Sequence, residues 1–336
     1  MNKILRICIF LYKSTLKVIG EAAYPFYYLI SRKTDFFNWQ KLLKLRFSTG
    51  LALSMQTRYY GHHKILKKLN LSAINTIVEH GVYVSDSDIA LDCDLFLQQN
   101  IFPVKNIVTF GERRKAVVED YLKRKNKKNI NVTAVGAYIN YADNFLPAHK
   151  LANLKKELGR VLLVYPLHSI ETAHFMYDTQ KFIDEINKVK NDFNTVIVSV
   201  YWHDLLLGAA KPYIEAGYKI ACAGRREDPF FLNRQKDLLT LSDMIISNGT
   251  GTHIGYATAL NKPCCIIRQE TKFMNAKPET DRPQPISNQF AAIADYFSKY
   301  SFEITPEQKH VVALWWGEKT FKSNQAISEA CDQADN

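Results

Sequence analysis

Residues 242–267, SDMIISNGTGTHIGYATALNKPCCII, constrain the fold more than any other stretch of the chain. Met244–Ile246 is a short apolar run of the kind that a buried parallel strand shows. Ile254, Ala257 and Leu260 recur at helical spacing, and Gly251 or Thr252 can open that helix. Pro263–Ile267 reads as a further strand. The stretch is therefore strand, turn, helix, strand: one βαβ unit. A chain with only 14 glycines places Gly249, Gly251 and Gly255 inside it. Glycine lets backbone approach a ligand closely, and a helix start offers unpaired N–H groups at a positive dipole end. The turn suits a phosphate or a nucleotide-sugar diphosphate. A tight β–α turn with no ligand has the same spacing.

The same alternation runs through most of the 336 residues. TIVEHGVYV within 75–84, NIVTFG at 106–111 and NVTAVGAYI at 131–139 predict strands, and ERRKAVVEDYLKRK predicts a helix. After an amphipathic stretch at 140–156 a fresh series begins. RVLLVYPLHS, NTVIVSVYWH, YKIACAG, DMIIS and KPCCII predict five strands with intervening helices, a complete doubly wound domain. The expected organisation is a segment at 1–35, a first Rossmann-like domain at 36–148 and a second at 149–285. Mainly helical residues follow at 286–336 and are expected to cross back to the first domain.

Charge is unevenly placed. The net +11 is carried entirely by residues 1–70, with 13 Lys and Arg against Glu21 and Asp35. On a helix, Lys3, Arg6, Lys13 and Lys17 form one stripe. Ile4, Leu5, Cys8, Ile9, Leu11, Tyr12, Leu16, Val18 and Ile19 face away from it, and Phe10 alone interrupts the basic arc. Tyr24–Ile30 is rich in aromatics and precedes Arg32 and Lys33, a pattern that suits a headgroup region. Residues 1–33 are expected to meet an anionic membrane surface; a helix packed on the protein with solvated lysines has the same pattern. No nucleic-acid motif accompanies the charge. No apolar run reaches the roughly 18 residues of a membrane span. No signal-peptide pattern is present, so a cytoplasmic protein, peripheral on the inner face of the membrane, is expected.

Six scattered cysteines lack metal-ligand spacing and read as reduced core residues. Asp86-Ser87-Asp88 and Asp92-Cys93-Asp94 spell D-x-D, a short string that also suits a helix start. No metal and no cofactor are expected.

The motifs carry a family resemblance. LSDMIISNGTGTHIGYATALNKPCCII resembles the donor-site end of GT-B glycosyltransferases. IVEHGVYV, IVTFGERRKAVVEDY and VTAVGAYI resemble bacterial surface-polysaccharide enzymes, the CDP-glycerol glycerophosphotransferase-like group and transferases of capsule, O-antigen and lipopolysaccharide. The sequence departs from them at Glu79, where Gln is often seen, and at Ala137-Tyr138, where Asn-Pro is common. The resemblance implies an α/β chain of GT-B type: two Rossmann-like doubly wound domains facing a central cleft. It implies a metal-independent glycosyltransferase that uses a nucleotide-sugar donor and a glycan or lipid-linked acceptor. A CDP-polyol phosphotransferase, a UDP-sugar 2-epimerase and a non-catalytic nucleotide- or glycan-binding subunit are the other readings.

Strand ends supply the candidate residues. His80, before Gly81, is the expected proton acceptor or phosphate contact, with Glu79 the rival base, although strand alternation turns Glu79 toward the first domain. His168 and Ser169, His203, and Arg225 and Arg226 follow three strands of the second series and are expected to face the donor. Ser247, Asn248, Gly249, Thr250, Gly251, Thr252 and His253 complete the donor set.

Overall fold

The computed structural model describes residues 25–46, 55–84, 97, 103–127, 129–169, 173–275 and 288–317. The basic stripe before residue 25 and both D-x-D strings lie outside them. Two parallel sheets organise the chain. The first has strands β1 (Thr76–Val78), β2 (Asn106–Thr109) and β3 (Asn131–Ala134) in that order. The second has five, in the order β7 (Lys219–Ala221), β6 (Thr195–Ser199), β4 (Val161–Tyr165), β8 (Met244–Ser247), β9 (Cys264–Ile266).

All four pairings of this sheet run parallel as expected for strands that read as unbroken apolar runs, and every residue of β4 is buried. By order of appearance the five strands lie 3-2-1-4-5. The winding therefore reverses between β4 and β8, and a crevice opens beyond their carboxyl ends. The two α/β units face each other across that crevice.

Three departures from the sequence reading have physical causes. A two-stranded antiparallel ribbon, β5 (Ala173–Tyr177) with β10 (Thr271–Asn275), was not foreseen, because its two halves lie almost a hundred residues apart and where loops were expected. The helix expected over 205–217 is broken into Trp202–Leu206 and Lys211–Glu215. Gly208, at φ 85°, ends the first piece, and Pro212 sits in the opening turn of the second. The strand expected to run through Val84 stops at Val78, so that His80–Val82 form a turn at the sheet edge.

The amino-terminal part described here docks on the second unit. Trp39 and Leu43 of the helix Trp39–Lys44 pack into that unit's core, and Cys222 N–H donates to the Phe36 carbonyl at 2.9 Å. Behind this contact lies a buried knot. Arg234, 0% exposed, donates from Nε to Thr34 O (3.0 Å) and from its Nη atoms to Ala223 O (3.0 Å), Ser31 O (2.7 Å) and Ser31 Oγ (2.6 Å). The same guanidinium pairs with Asp228 at 3.0 Å, and Ser31 Oγ donates to that carboxylate at 2.8 Å.

At the other end, the helix Pro306–Trp316 starts from a capping box of Thr305 and Gln308 and crosses both units. Trp316 is fully buried against Gly255, and Arg113 of the first unit lies over the Trp315 ring at 4.2 Å. Cys222, Cys264 and Cys265 are free and buried. No described helix is long and apolar enough to cross a membrane.

Removing one partner of a buried charge pair leaves the other uncompensated, which costs about 3–5 kcal/mol. Arg234→Leu should therefore lower the unfolding free energy by about that amount in chemical denaturation. Adding Asp228→Asn should recover part of the loss, because the two sites couple. A loss below about 1 kcal/mol would show that the knot does not hold the amino-terminal segment in place.

Candidate functional site

A cavity of about 320 Å³ opens where the winding of the second sheet reverses. Its floor is the set of turns after the second unit's strands: Tyr165–His168 after β4, Ser199–Tyr201 after β6, Cys222 and Ala223 after β7, and Ser247 with Gly249–His253 after β8. Phe231, Leu232 and Gln235 of the helix Phe231–Leu241 add one wall. The first unit closes the other side with His80, Gly81 and Val82, and the segment Tyr60–His62 crosses over the top.

The glycine-rich turn is held from within. Ser247 Oγ donates to Gly249 O (2.8 Å) and accepts from Gly249 N–H (3.2 Å). Asn248 accepts from Leu167 N–H at 2.6 Å and donates to Gln269 at 3.0 Å, which ties the turn to its neighbours after β4 and β9. Gly251 is the N-cap of the helix Thr252–Ala259 and offers no side chain to its first N–H groups. A Cβ at Gly249 would sit 2.7 Å from Leu167 Cδ1, and one at Gly255 would sit 2.2 Å from Trp316 Cδ1. Gly255 is therefore demanded by packing of the carboxy-terminal helix. Thr252 Oγ1 accepts from Val82 N–H at 3.4 Å, so the His80 turn of the first unit rests on the helix start of the second.

The structure brings His80, His168, Ser247, Gly249, Thr250, Gly251, Thr252 and His253 to this one cavity. Other candidates lie off it. Glu79, 1% exposed, takes a bidentate bond from Arg114 (2.5 and 3.0 Å) and the Thr109 hydroxyl (2.6 Å). Strand alternation turns it into the first unit, where it is locked in an ion pair and cannot serve as a base in the cavity.

Arg225 lies over the Trp202 ring at 4.0 Å, and Arg226 lies over Tyr59 at 4.6 Å and donates to Glu227. Both guanidinium groups are taken up by aromatic faces and do not line the cavity. Ser169 fastens the ribbon, accepting from Phe175 N–H and donating to Asp204, and His203 stacks on His174 of the same ribbon. Asn248 works behind the turn.

Sequence reasoning missed Tyr60, His62 and the tyrosines Tyr165 and Tyr256. The one signal for the first two was a glycine inside the aromatic run YYGHH. Tyr60 and Gly61 both adopt left-handed backbone (φ 58° and 73°), and a Cβ at Gly61 would sit 2.4 Å from Pro229 O. The Tyr60 hydroxyl meets that of Tyr201 at 3.3 Å, joining the crossing segment to the turn after β6.

Among the described lining residues there is no carboxylate, ammonium or guanidinium. The ionisable groups are imidazoles, phenols and the Cys222 thiol, which burial pushes up to about 12. Burial lowers His62 to about 3, with the neighbouring His80 and His63 adding to the effect. Burial lowers His80 to about 4, helped by Arg226, and lowers His253 to about 3, helped by His168. All three are neutral at neutral pH. His168 Nδ1 lies 3.2 Å from the Ser169 carbonyl. A carbonyl only accepts, so Nδ1 carries the proton and Nε2 is left as the acceptor nitrogen.

No protein-family model and no curated protein matches the chain. Solved structures similar to it include the wall teichoic acid polymerase TagF, at 11% identity and a TM-score of 0.38, covering 77% of this chain and 67% of that one. Another is S. aureus MnaA in complex with UDP, at 10% identity and a TM-score of 0.35, covering 62% and 63%. A third is the UDP-GlcNAc 2-epimerase from Neisseria meningitidis bound to UDP-GlcNAc, at 13% identity and a TM-score of 0.36, covering 83% and 80%.

The lowered imidazoles fix the sign of a pH effect. Their folded values lie below the ordinary 6.5, so between that pH and about 3–4 the unfolded chain binds more protons. Stability from these groups is fully present above pH 6.5 and is lost as pH falls through the window. Denaturation free energies of the wild type should therefore fall from about pH 6.5 to about pH 4, and His62→Phe should make that fall shallower. Identical slopes for the two proteins would show that His62 is not held neutral by burial.

Proposed function

We propose that this chain is a glycosyltransferase that moves a sugar from a nucleotide-sugar donor to a cell-envelope polysaccharide or lipid-linked acceptor. The observation that carries the reading is the cavity itself. It lies at the winding reversal of a five-stranded parallel sheet, and an uncapped helix start on one unit and a histidine on the other face it together.

In this reading the turn Gly249–Thr252 and the first N–H groups of the helix Thr252–Ala259 receive the donor phosphate. The acceptor hydroxyl attacks the anomeric carbon, the bond from that carbon to the phosphate oxygen breaks, and the hydroxyl proton passes to an imidazole. His80 is the residue we assign to that proton, because it comes from the unit opposite the helix start. The positive end of the helix meets the charge that grows on the departing phosphate.

Membrane attachment is part of the proposal. Phe26 and Leu29, one helical turn apart, are 63% and 55% exposed, and exposed Arg32 and Lys33 follow them. Apolar side chains beside bases suit the surface of an anionic bilayer on the cytoplasmic side.

Two experiments test these assignments. In a thermal-shift panel of UDP, GDP, CMP, CDP and ADP, at least one nucleotide should stabilise the wild type, and Gly251→Val should abolish that shift without unfolding the protein. His80→Ala should keep nucleotide binding and lower turnover by roughly 10²-fold or more. No shift with any nucleotide, or near wild-type turnover by His80→Ala, would overturn the corresponding assignment.

For the membrane, full-length protein should float with vesicles containing anionic lipid and be partly released by salt. The double variant Phe26→Asp, Leu29→Asp should float less. Equal flotation of wild type and variant would place the contact elsewhere.

A further inference from the structure

His62 is a buried imidazole that the fold itself does not require. It is 1% exposed, its Nδ1 has no hydrogen-bond partner, and it meets Tyr138 edge-on at 4.9 Å. An apolar ring would fill that space without an orphaned nitrogen, which is costly to bury. The backbone is nevertheless bent to bring the imidazole there. Tyr60 holds a left-handed conformation that is uncommon for a bulky residue, and its N–H donates to the Arg226 carbonyl at 2.5 Å. Gly61 passes so close to Pro229 that no side chain fits. Enforced backbone of this kind concentrates at ligand sites. His62 also lines the cavity.

The surroundings say what it would meet there. The Tyr60 ring lies 5.7 Å from that of His62 and 6.2 Å from that of His80, so the two histidines flank one aromatic ring. The other ionisable groups facing the pair are His63 on the same segment, Tyr138 beneath, and Arg226, Tyr59 and Tyr83 beside His80. The Glu79–Arg114 ion pair stands behind Tyr138. The bond from Val82 to Thr252 sets the His80 turn against the helix start. Two neutral imidazoles and a positive helix end therefore share one cavity.

We propose that His62 contacts the phosphate of the ligand in this cavity, and that the His62–His80 pair takes up one proton when that phosphate enters. The inference rests on the nucleotide reading above. The proton comes from the buffer and no covalent bond changes. Each imidazole repels the other's charge, so only one proton is taken up on binding. It rests on His62 at the phosphate and leaves His80 neutral, free to accept the hydroxyl proton as charge grows on the departing phosphate. A phosphate supplies the opposite charge that burial lacks, and the imidazolium then gives a charge-assisted hydrogen bond. The pair is a cation only while an anion is present, so the empty cavity never carries a buried unpaired charge.

Isothermal titration calorimetry with CDP, UDP and inorganic pyrophosphate, in two buffers of different ionisation enthalpy, reads the proton directly. Wild type should take up a proton on binding, and its affinity should rise as pH falls from about 8 to about 6. His62→Phe keeps the ring against Tyr138 and should bind about tenfold or more weakly, with the uptake lost. His62→Gln can donate a hydrogen bond but cannot titrate, so it should regain part of the affinity and none of the uptake. Binding by wild type without uptake, or uptake unchanged in His62→Phe, would overturn the proposal and leave the nucleotide reading standing. No binding of any probe would overturn both. His62→Phe should melt no lower than wild type, and if it does not fold, retained uptake by His62→Gln overturns the proposal.

Discussion

One guanidinium ties together parts of the chain that lie some two hundred residues apart. Arg234 is fully buried, and its donors are spent on Ser31, Thr34, Ala223 and Asp228. A charge held so deep is tolerable only because each N–H has a partner and a carboxylate stands beside it. The consequence reaches well beyond the knot. It lays residues 31–36 beside the turn that follows the edge strand Lys219–Ala221, where Cys222 N–H donates to the Phe36 carbonyl. Further along, Tyr60 N–H fixes the crossing segment to the Arg226 carbonyl. That carbonyl lies two residues before Asp228, so the ion pair and the anchor of the crossing segment share one short stretch of chain.

The cavity is polar without being charged. Where the sequence offers arginine, the structure spends it elsewhere: Arg225 on Trp202, Arg226 on Tyr59, Arg114 on Glu79. What faces the space is neutral. Desolvation dominates the lowering of His62, His80 and His253. Polarity remains available in a form that costs little while the site is empty: oriented N–H groups at a helix start, hydroxyls, and imidazoles that hold no charge.

The second sheet was legible because its chemistry is local. Buried parallel strands read as unbroken apolar runs, and VLLVY, TVIVS and MIIS do so. The turn after MIIS was legible for the same reason, since glycines between an apolar run and a helical period leave few alternatives. The ribbon was not, because AHFMY and TKFMN pair with each other across almost a hundred residues and neither is apolar enough to stand out. Glu79 and His80 show the limit of strand alternation. It gave the direction of Glu79, but its partner Arg114 stands on a helix 35 residues later, and nothing near Glu79 announces it. Tyr60 and His62 were out of reach altogether. Their place in the site comes from a crossing fixed by Arg226 and Pro229, both far along the chain.

The three glycines with which the sequence reading begins have three different causes. Gly249 yields to Leu167, which enters from the turn after β4. Gly255 yields to Trp316, which enters from the carboxy-terminal helix, so its lack of a side chain serves the joining of the two units. Gly251, which lines the cavity beside Gly249, is the one of the three whose added Cβ would meet no side chain from another segment, the His253 ring being its nearest neighbour. A run of glycines that looks like a single ligand-binding device is therefore two packing constraints around one exposed backbone turn. The packing is what makes the turn usable. Leu167 and Trp316 press it from either side, Asn248 and Ser247 tie it internally, and the uncapped N–H groups that remain are held at fixed positions before any ligand arrives.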